Sequence, residues 1–274
     1  MLKIAIIGCG YIGQALASRW KSLGYHITGT TRSFDKLDNI LKHCQKAEVL
    51  HSTDTDKLAQ IVNENDIIAL TVGADNPEDY EDVYLRTAQS LKNCAKNSSP
   101  KKIFYTSSTF VYGDHNGKWV DENSILLNKT EPGRILIETE KMLTSLQDLG
   151  WEVLIFRLSE IYGPNKNLSS KVKKYQGSII SGPGDSYTNM VHLDDIVEAY
   201  TYALNHKLRG IYNLSDDEHL IRSELYKQIS DRFGFKPIKW DPSIKTLRSG
   251  NKRVSNHKIK SMGYTFIHPK RVID

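Results

Sequence analysis

Three glycines near the start of the chain constrain its fold more than any other feature. An apolar stretch, residues 3–7, runs directly into Gly8, Gly10 and Gly13, which have the spacing G-x-G-x-x-G. A strand, a glycine turn and a helix in this order present backbone N–H groups at a helix N-terminus, where they attract phosphate. The spacing therefore predicts a βαβ unit that binds the pyrophosphate of a dinucleotide. The predicted contacts in this segment are Gly8, Gly10, Tyr11, Ile12 and Gly13.

The order of the predicted strands and helices indicates the fold class. Apolar stretches predict strands near 2–7, 25–30, 47–50, 66–72, 101–107 and 151–157. Helical patterns between them fall near 11–23, 55–64, 78–97 and 133–149. The strands are rich in Ile, Val, Leu and Phe without clean alternation of polar and apolar residues, as expected when helices cover both faces of a parallel sheet. We therefore predict an α/β fold with a Rossmann-like doubly wound parallel sheet.

The regular alternation of strands and helices weakens after residue 157, where glycines, prolines and polar residues interrupt it. A further helix and strand before residue 215 return to the main sheet. The predicted NAD(P)-binding Rossmann-like domain is therefore 1–160 plus 194–214. The remainder, 161–193 plus 215–274, is predicted to form a small, discontinuous C-terminal lobe that binds the substrate.

Composition limits the partners and the compartment. No stretch approaches the roughly 20 apolar residues of a membrane helix. Three widely spaced cysteines predict reduced thiols in a cytoplasmic protein, and no spacing of His, Cys or carboxylate residues predicts a metal site. The net charge of +5 suits an anionic small molecule. The basic segment 251–258 lacks the interleaved aromatic residues of a nucleic-acid platform, so we predict no nucleic acid and no membrane as partners.

The end of the second predicted strand indicates which dinucleotide binds. An Asp or Glu at this place holds the ribose hydroxyls of NAD. Here the strand ends in Thr31, Arg32 and Ser33, with no carboxylate among them. An Arg flanked by two hydroxyls suits a 2′-phosphate, which favours NADP, with NAD as the alternative. Asp35 lies just beyond the expected place, and Arg32 could instead lie on the surface or stack on the adenine.

A second motif follows the fifth predicted strand. The stretch 107–113 reads Ser-Ser-Thr-Phe-Val-Tyr-Gly, and further on come Arg157–Pro164 and Asn189–Ile196. Together with the glycine turn, these segments resemble the extended short-chain dehydrogenase/reductase superfamily, whose members include NAD-dependent epimerases and dehydratases. The resemblance covers the chain to about residue 215.

The resemblance implies roles for individual residues. Ser108, with Thr109 beside it, would hold the reacting carbonyl or alcohol oxygen near the nicotinamide. Thr71 and Val72, after the fourth predicted strand, would lie beneath the cofactor. The alternative for the two hydroxyls at 108 and 109 is that they satisfy loose backbone groups at a strand end.

One expected element of that family is missing. Its members carry a Tyr and a Lys four residues apart as the acid/base pair, and the matching positions here are Pro132 and Leu136. A register shifted by one residue gives Gly133 and Ile137. None of these side chains can shuttle a proton. The chain therefore resembles the atypical branch of the superfamily, which keeps the fold without the pair.

Three residues are candidates for contact with the substrate. Tyr112 would be a pocket wall or a structural aromatic residue. Arg134 would hold a carboxylate or phosphate, or simply begin a helix. Glu160 would act as a base if desolvated, or be an ordinary paired carboxylate.

Two functions follow from these observations. The first is an NADP-dependent oxidoreductase or epimerase that acts on a sugar-derived or similar polar carbonyl or alcohol, with a nucleotide sugar as a candidate substrate. The second is a catalytically inactive NADP(H)-binding sensor or regulator. The retained serine motif favours the enzyme. The resemblance also implies a homodimer formed through helices like those near 78–97 and 133–149.

Overall fold

A seven-stranded parallel sheet forms the centre of the fold in the computed structural model, which describes residues 1–99, 101–244 and 250–273. In chain order, the strands of the protein are β1 Lys3–Ile7, β2 His26–Thr31, β3 Lys46–Val49, β4 Ile67–Leu70, β5 Lys102–Ser108, β6 Trp119–Val120, β7 Glu152–Leu158, β8 Glu160–Tyr162, β9 Ile179–Ser181, β10 Met190–His192, β11 Gly210–Leu214, β12 Lys239–Asp241 and β13 Arg253–Val254. The large sheet has the order β11-β7-β5-β4-β1-β2-β3. The Rossmann-like prediction is therefore confirmed.

The helices fill the connections between strands. They are α1 Tyr11–Ser22, α2 Leu37–Leu41, α3 Thr55–Glu64, α4 Thr87–Ala95, α5 Glu131–Thr144, α6 Leu168–Lys173, α7 Leu193–Asn205, α8 Arg222–Phe233 and α9 His257–Ser261. Shorter 3-10 turns cover Phe34–Lys36, Pro77–Asp79, Thr109–Tyr112 and Ser145–Leu149, and Glu81–Arg86 is π-helical. Within the described ranges, every helix is too short or too polar to cross a membrane.

The strand order reverses beside β1, and this reversal locates the ligand edge of the sheet. The chain builds outward from β1 through β2 to β3, then returns to place β4 on the other side of β1. Open α/β sheets bind ligands outside the carboxyl ends of the strands beside such a reversal, which here are β1 and β4. The glycine turn follows β1 at this point.

Burial of the central strands follows the predicted pattern. Ile4, Ala5 and Ile6 of β1 have no exposed surface, and neither do Ile68 and Leu70 of β4. Both alternating sets of side chains are covered, so the sheet is packed on its two faces. This agrees with the apolar sequences of these two central strands.

The start of α5 shows how local sequence sets a helix boundary. The side chain of Thr130 accepts a hydrogen bond from the Gly133 N–H, and Pro132 lies in the first turn. Both residues are typical of helix N-termini. The helix therefore begins at Glu131, two residues before the predicted start, and the last predicted residues, 145–149, form a 3-10 turn instead.

The chain divides into two compact units. The first contains 1–108, 129–157 and 197–212, and the second contains 109–128, 158–196 and 213–274. Compared with the predicted domains, the main difference is the segment after β5, which belongs to the second unit. Each unit has its own apolar core. The core of the second includes Tyr162, Leu168, Val172, Met190, Leu225, Tyr226 and Ile229.

Candidate functional site

The glycine turn after β1 has a backbone shape that only glycine adopts easily. Gly8 has a φ of +85°, and a Cβ there would lie 2.7 Å from the Cα of Val72. The hydroxyl of Thr71 donates to the Gly8 carbonyl at 2.8 Å. The end of β4 therefore packs against the turn and fixes it. The sequence predicted that Thr71 contacts the cofactor. In the structure its side chain is buried and hydrogen-bonded to the glycine turn.

Gly10 and Gly13 have opposite surroundings. A Cβ on Gly13 would lie 2.9 Å from the Gly8 carbonyl oxygen, so glycine lets α1 pack closely against the strand. A Cβ on the exposed Gly10 would meet nothing within 4 Å. Gly10 therefore leaves the backbone of the turn open to approach.

The first turn of α1 is prepared for an anion. Gly10 is its N-cap residue, and among the described residues no side chain caps this end. The first turn carries no acidic residue, Tyr11 is half-buried, and Ile12 is largely buried. Backbone N–H groups and the positive end of the helix dipole therefore face the open side of the turn. These residues fit the pyrophosphate of a dinucleotide.

Strand β2 holds the turn from the other side. The side-chain oxygen of Thr30 accepts from the Gly8 N–H at 3.2 Å, and the Thr30 carbonyl accepts from the Cys9 N–H at 2.7 Å. Burial raises the pKa of the Cys9 thiol to about 12, with a smaller contribution from Cys44. Cys9 is therefore an inert packing residue at neutral pH. Sequence reasoning missed Thr30, because nothing in the motif marks it.

The end of β2 presents the residues predicted to select the cofactor. Arg32 is exposed and directly follows the strand. Thr31 and Ser33 are half-buried, and the Thr31 hydroxyl accepts from the Ser33 N–H at 3.2 Å. Asp35 lies within the next 3-10 turn and is also exposed. The strand end itself therefore offers a cation and hydroxyls.

A buried ion pair lies beneath the serine motif. Glu140 of α5 accepts from Ser107 at 2.6 Å and from Arg157 Nη2 at 2.7 Å. The side chains of Arg157 and Glu140 are only 4% and 3% exposed. This network joins β5, α5 and β7. The sequence did contain a signal for it, because Arg157 interrupts a strand that is otherwise apolar and so requires a buried partner.

The two predicted oxygen-positioning residues differ in exposure. Ser108 is the last residue of β5 and is half-buried. Thr109 begins the following 3-10 turn and is only 7% exposed. Ser108 is therefore the better placed of the two to meet a ligand at the carboxyl end of the sheet.

Helix α5 carries the positions that the sequence matches to the acid/base pair of the resembling family. Leu136 and Gly133 are buried, and Pro132 is half-buried in the first turn. Arg134 is exposed on this turn. The apolar side chains at these positions pack, and they supply no group with a proton to exchange.

The predicted substrate contacts in the second unit have structural partners. Tyr112 has no exposed surface, and its hydroxyl donates to Asn213 Oδ1 at 2.8 Å. Of the two roles considered for Tyr112, this arrangement favours a structural aromatic residue, because a fully buried side chain is not accessible to a ligand. Glu160 forms an ion pair with Lys171. Of the two roles considered for Glu160, this favours an ordinary paired carboxylate.

Lys252 is a buried lysine within the basic segment 251–258, and its burial could not be predicted from the sequence. It is 7% exposed, and its Nζ donates to the Gly113 carbonyl at 3.2 Å. Burial lowers the pKa of Lys252 to about 8, while Asp114 acts in the opposite direction. A run of basic residues predicts solvated side chains, so this position could not be distinguished from its neighbours.

Comparison with known proteins agrees with this geometry. The sequence model of the NAD dependent epimerase/dehydratase family matches residues 4–215. The chain belongs to this family. Protein YeeZ of Escherichia coli K12 is 28% identical over 283 residues, covering 100% of this chain and 98% of YeeZ.

Solved structures show the same fold. UDP-glucuronic acid 4-epimerase from Bacillus cereus, in complex with a fluorinated UDP-glucuronic acid and NAD, has a TM-score of 0.83 and 17% identity, covering 97% of this chain and 94% of that chain. UDP-glucose 4-epimerase from Thermus thermophilus, in complex with NAD, has a TM-score of 0.82 and 16% identity, covering 97% and 94%. The predicted superfamily and fold are therefore confirmed.

Proposed function

We propose that this family member is an NADP-dependent oxidoreductase or epimerase of the atypical kind, acting on a sugar-derived or similar polar carbonyl or alcohol. The observation that carries the proposal is the open glycine turn at the reversal of the strand order. Thr30 and Thr71 fix this turn from two sides, and Gly10 leaves its backbone accessible. Fixed backbone donors beside an open approach are what binding of a dinucleotide pyrophosphate requires.

Different residues around the turn would bind different parts of the cofactor. The backbone of Gly10 and the first turn of α1 would hold the pyrophosphate. Arg32, with Thr31 and Ser33 beside it, would hold the 2′-phosphate of NADP, since a guanidinium can bind phosphate through two parallel hydrogen bonds. A bound nicotinamide supplies hydride transfer, which is the chemistry common to oxidoreductases and epimerases of this kind.

The end of β5 would hold the substrate oxygen. Ser108 is half-buried at the carboxyl end of this strand, where its hydroxyl would donate a hydrogen bond to a carbonyl. The adjacent Ser107 is bonded to Glu140, which is itself paired with Arg157. A buried network directly beside Ser108 limits movement of the strand end, so this hydroxyl would be held in place before the substrate arrives.

The nature of the substrate is argued from the solved relatives. The Bacillus cereus structure holds a UDP-sugar derivative together with NAD. We infer that a nucleotide sugar is the first substrate class to test. Arg134, exposed on the first turn of α5, is a candidate contact for its anionic part. Homodimerisation and a cytoplasmic location remain predictions.

A catalytically inactive sensor is the second candidate, and one observation favours it. Pro132 and Leu136 occupy the positions of the acid/base pair on α5, and Leu136 is buried. Without a Tyr and a Lys there, the proton must come from water or from another group. A sensor would bind NADPH tightly and show no turnover.

A substrate screen separates the two candidates. Oxidation of NADPH would be followed by absorbance with a panel of polar carbonyls that includes nucleotide-linked keto sugars. Epimerisation returns the hydride and consumes no cofactor, so nucleotide sugars incubated with NADP⁺ would be analysed for epimerised product by chromatography. The enzyme predicts turnover that falls by about a hundredfold or more in Ser108→Ala, because a positioned donor is removed. The exposed Ser261→Ala variant is the matched control and should retain full activity. No turnover with any compound, alongside tight NADPH binding, would favour the sensor.

A further inference from the structure

Three side chains from distant parts of the sequence meet at the start of α7, within the second unit. His192 ends β10, Asp194 lies in the first turn of α7, and His268 lies in the segment after α9. Their potential ligand atoms all lie within 4.8 Å of one another. Because 74 residues separate Asp194 from His268, the spacing arguments that predicted no metal could not detect this cluster.

We propose that His192, Asp194 and His268 bind a divalent transition-metal ion, with Zn²⁺ as the best match. The Oδ2 atom of Asp194 lies 3.4 Å from His192 Nδ1 and 3.1 Å from His268 Nε2. Tetrahedral Zn²⁺, with bonds of about 2.0–2.1 Å, places its ligand atoms about 3.3 Å apart. Two imidazole nitrogens and one carboxylate oxygen are also a ligand set that Zn²⁺ commonly uses.

The bonding of His192 favours the form that a metal needs. The backbone N–H of Asp194 donates to His192 Nδ1 at 3.2 Å, so in the neutral ring the proton lies on Nε2. Metals bind the unprotonated nitrogen of neutral imidazole. An ion would replace this long hydrogen bond, and the freed N–H, at a helix N-terminus, could bond to water.

The layer around the three side chains holds them in place. The buried carboxylate of Asp195 accepts from the N–H groups of Ile267 and His268, at 2.6 and 3.1 Å. The hydroxyl of Tyr264 donates to the Asp195 carbonyl at 2.9 Å. The segment that carries His268 is therefore tied to the start of α7. Ligands that are already ordered lose less conformational entropy when the ion binds, and supporting hydrogen bonds of this kind increase metal affinity.

Exposure of the cluster determines which kind of site it forms. The side chain of Asp194 is 54% exposed, that of His268 is 22% exposed, and that of His192 is 10% exposed. Three protein ligands on a solvent-facing surface leave a fourth position for water. The ion would therefore exchange with solvent and be removable by chelators. It would also clamp residues 264–268 to α7.

Metal binding can be measured directly, without an assay of activity. The protein, free of any polyhistidine tag and treated with EDTA, would be titrated with Zn²⁺ by calorimetry and with Co²⁺ by visible absorbance. We expect one ion per chain, with the absorption bands of tetrahedral Co²⁺, and a thermal midpoint that rises with Zn²⁺. His268→Ala and Asp194→Asn should each weaken binding by about tenfold or more. His257→Ala, an exposed histidine in the same unit, is the matched control.

Several outcomes would overturn the proposal. Absence of binding at millimolar Zn²⁺ would show that the three groups only bond to one another. Equal affinity of the native protein, His268→Ala and Asp194→Asn would place the ion elsewhere, as would a loss confined to His257→Ala. Circular dichroism of each variant without metal verifies that it is folded. Asp194→Asn is expected to fold, because the asparagine side chain retains an oxygen that can accept a hydrogen bond from the His268 ring.

Discussion

At the scale of the residue, the glycine turn makes the most specific demands. Gly13 is enclosed by the Gly8 carbonyl and Thr71, whereas Gly10 faces open space. The two glycines therefore serve different purposes, close packing for Gly13 and access for Gly10. The G-x-G-x-x-G spacing alone does not distinguish these purposes.

A pair of alanine substitutions tests this difference. Gly13→Ala should destabilise the protein by about 1–3 kcal/mol, because its Cβ would lie 2.9 Å from a backbone oxygen and force a shift. Gly10→Ala should leave stability nearly unchanged but weaken NADPH binding, since its methyl group would occupy the approach of the phosphate. Urea unfolding and fluorescence titration measure the two effects. Equal loss of stability in both variants would contradict the assignment.

Lys252 allows a prediction about pH at the same scale. Its pKa is lowered to about 8 by burial, from an ordinary value of 10.5. Between these two pH values the unfolded chain binds the proton and the folded protein does not, so the free energy of unfolding rises with pH. As the pH increases from 7 to 9.5, the free energy of unfolding of the native protein should therefore rise by about 2 kcal/mol relative to that of the Lys252→Met variant. Urea unfolding of both proteins at the two pH values measures this difference, and a constant difference would show that Lys252 is solvated.

At the scale of the element, α5 is held to the sheet by charge as well as by apolar packing. Glu140 joins it to Ser107 of β5 and Arg157 of β7. Since both partners are almost fully buried, removal of one leaves an uncompensated charge.

Removal of one partner should cost more than removal of both. Glu140→Leu alone should lower the free energy of unfolding by about 3–5 kcal/mol, because the buried Arg157 would lose the carboxylate that compensates its charge. The double variant with Arg157→Met should recover part of this loss. A double-mutant cycle by urea unfolding measures the coupling. Strictly additive effects would show that the two charges do not depend on each other in the folded protein.

The elements that the sequence predicted are those with strong local signals. The central strands β1 and β4 are almost continuous apolar stretches, and α1 and α3 match their predicted spans within a residue. Short elements such as α2 and the pairs β8–β10 and β9–β12 have no such signal, because tertiary contacts rather than local pattern define them. Contacts between side chains far apart in the sequence, such as Glu140 with Arg157 or Asp194 with His268, likewise cannot be predicted from residue spacing.

At the scale of the whole molecule, the family match and the strand order both cover the edge of the sheet that carries the glycine turn. The family match covers residues 4–215, and the glycine turn lies where the strand order reverses. The serine motif ends the strand next to β4 in the same sheet. The proposed cofactor turn and the proposed oxygen-positioning hydroxyl of Ser108 therefore both lie at carboxyl ends of parallel strands, where open α/β sheets bind ligands.

Binding of NADPH and NADH, measured side by side by fluorescence titration, tests the central claim most directly. The proposed function predicts tighter binding of NADPH, and a loss of that preference in Arg32→Ala, because the guanidinium would no longer meet the 2′-phosphate. The exposed Lys36→Ala, in the adjacent turn, is the control and should keep the preference. Equal affinity for both nucleotides would contradict the role of Arg32, and binding of neither would contradict the cofactor site itself.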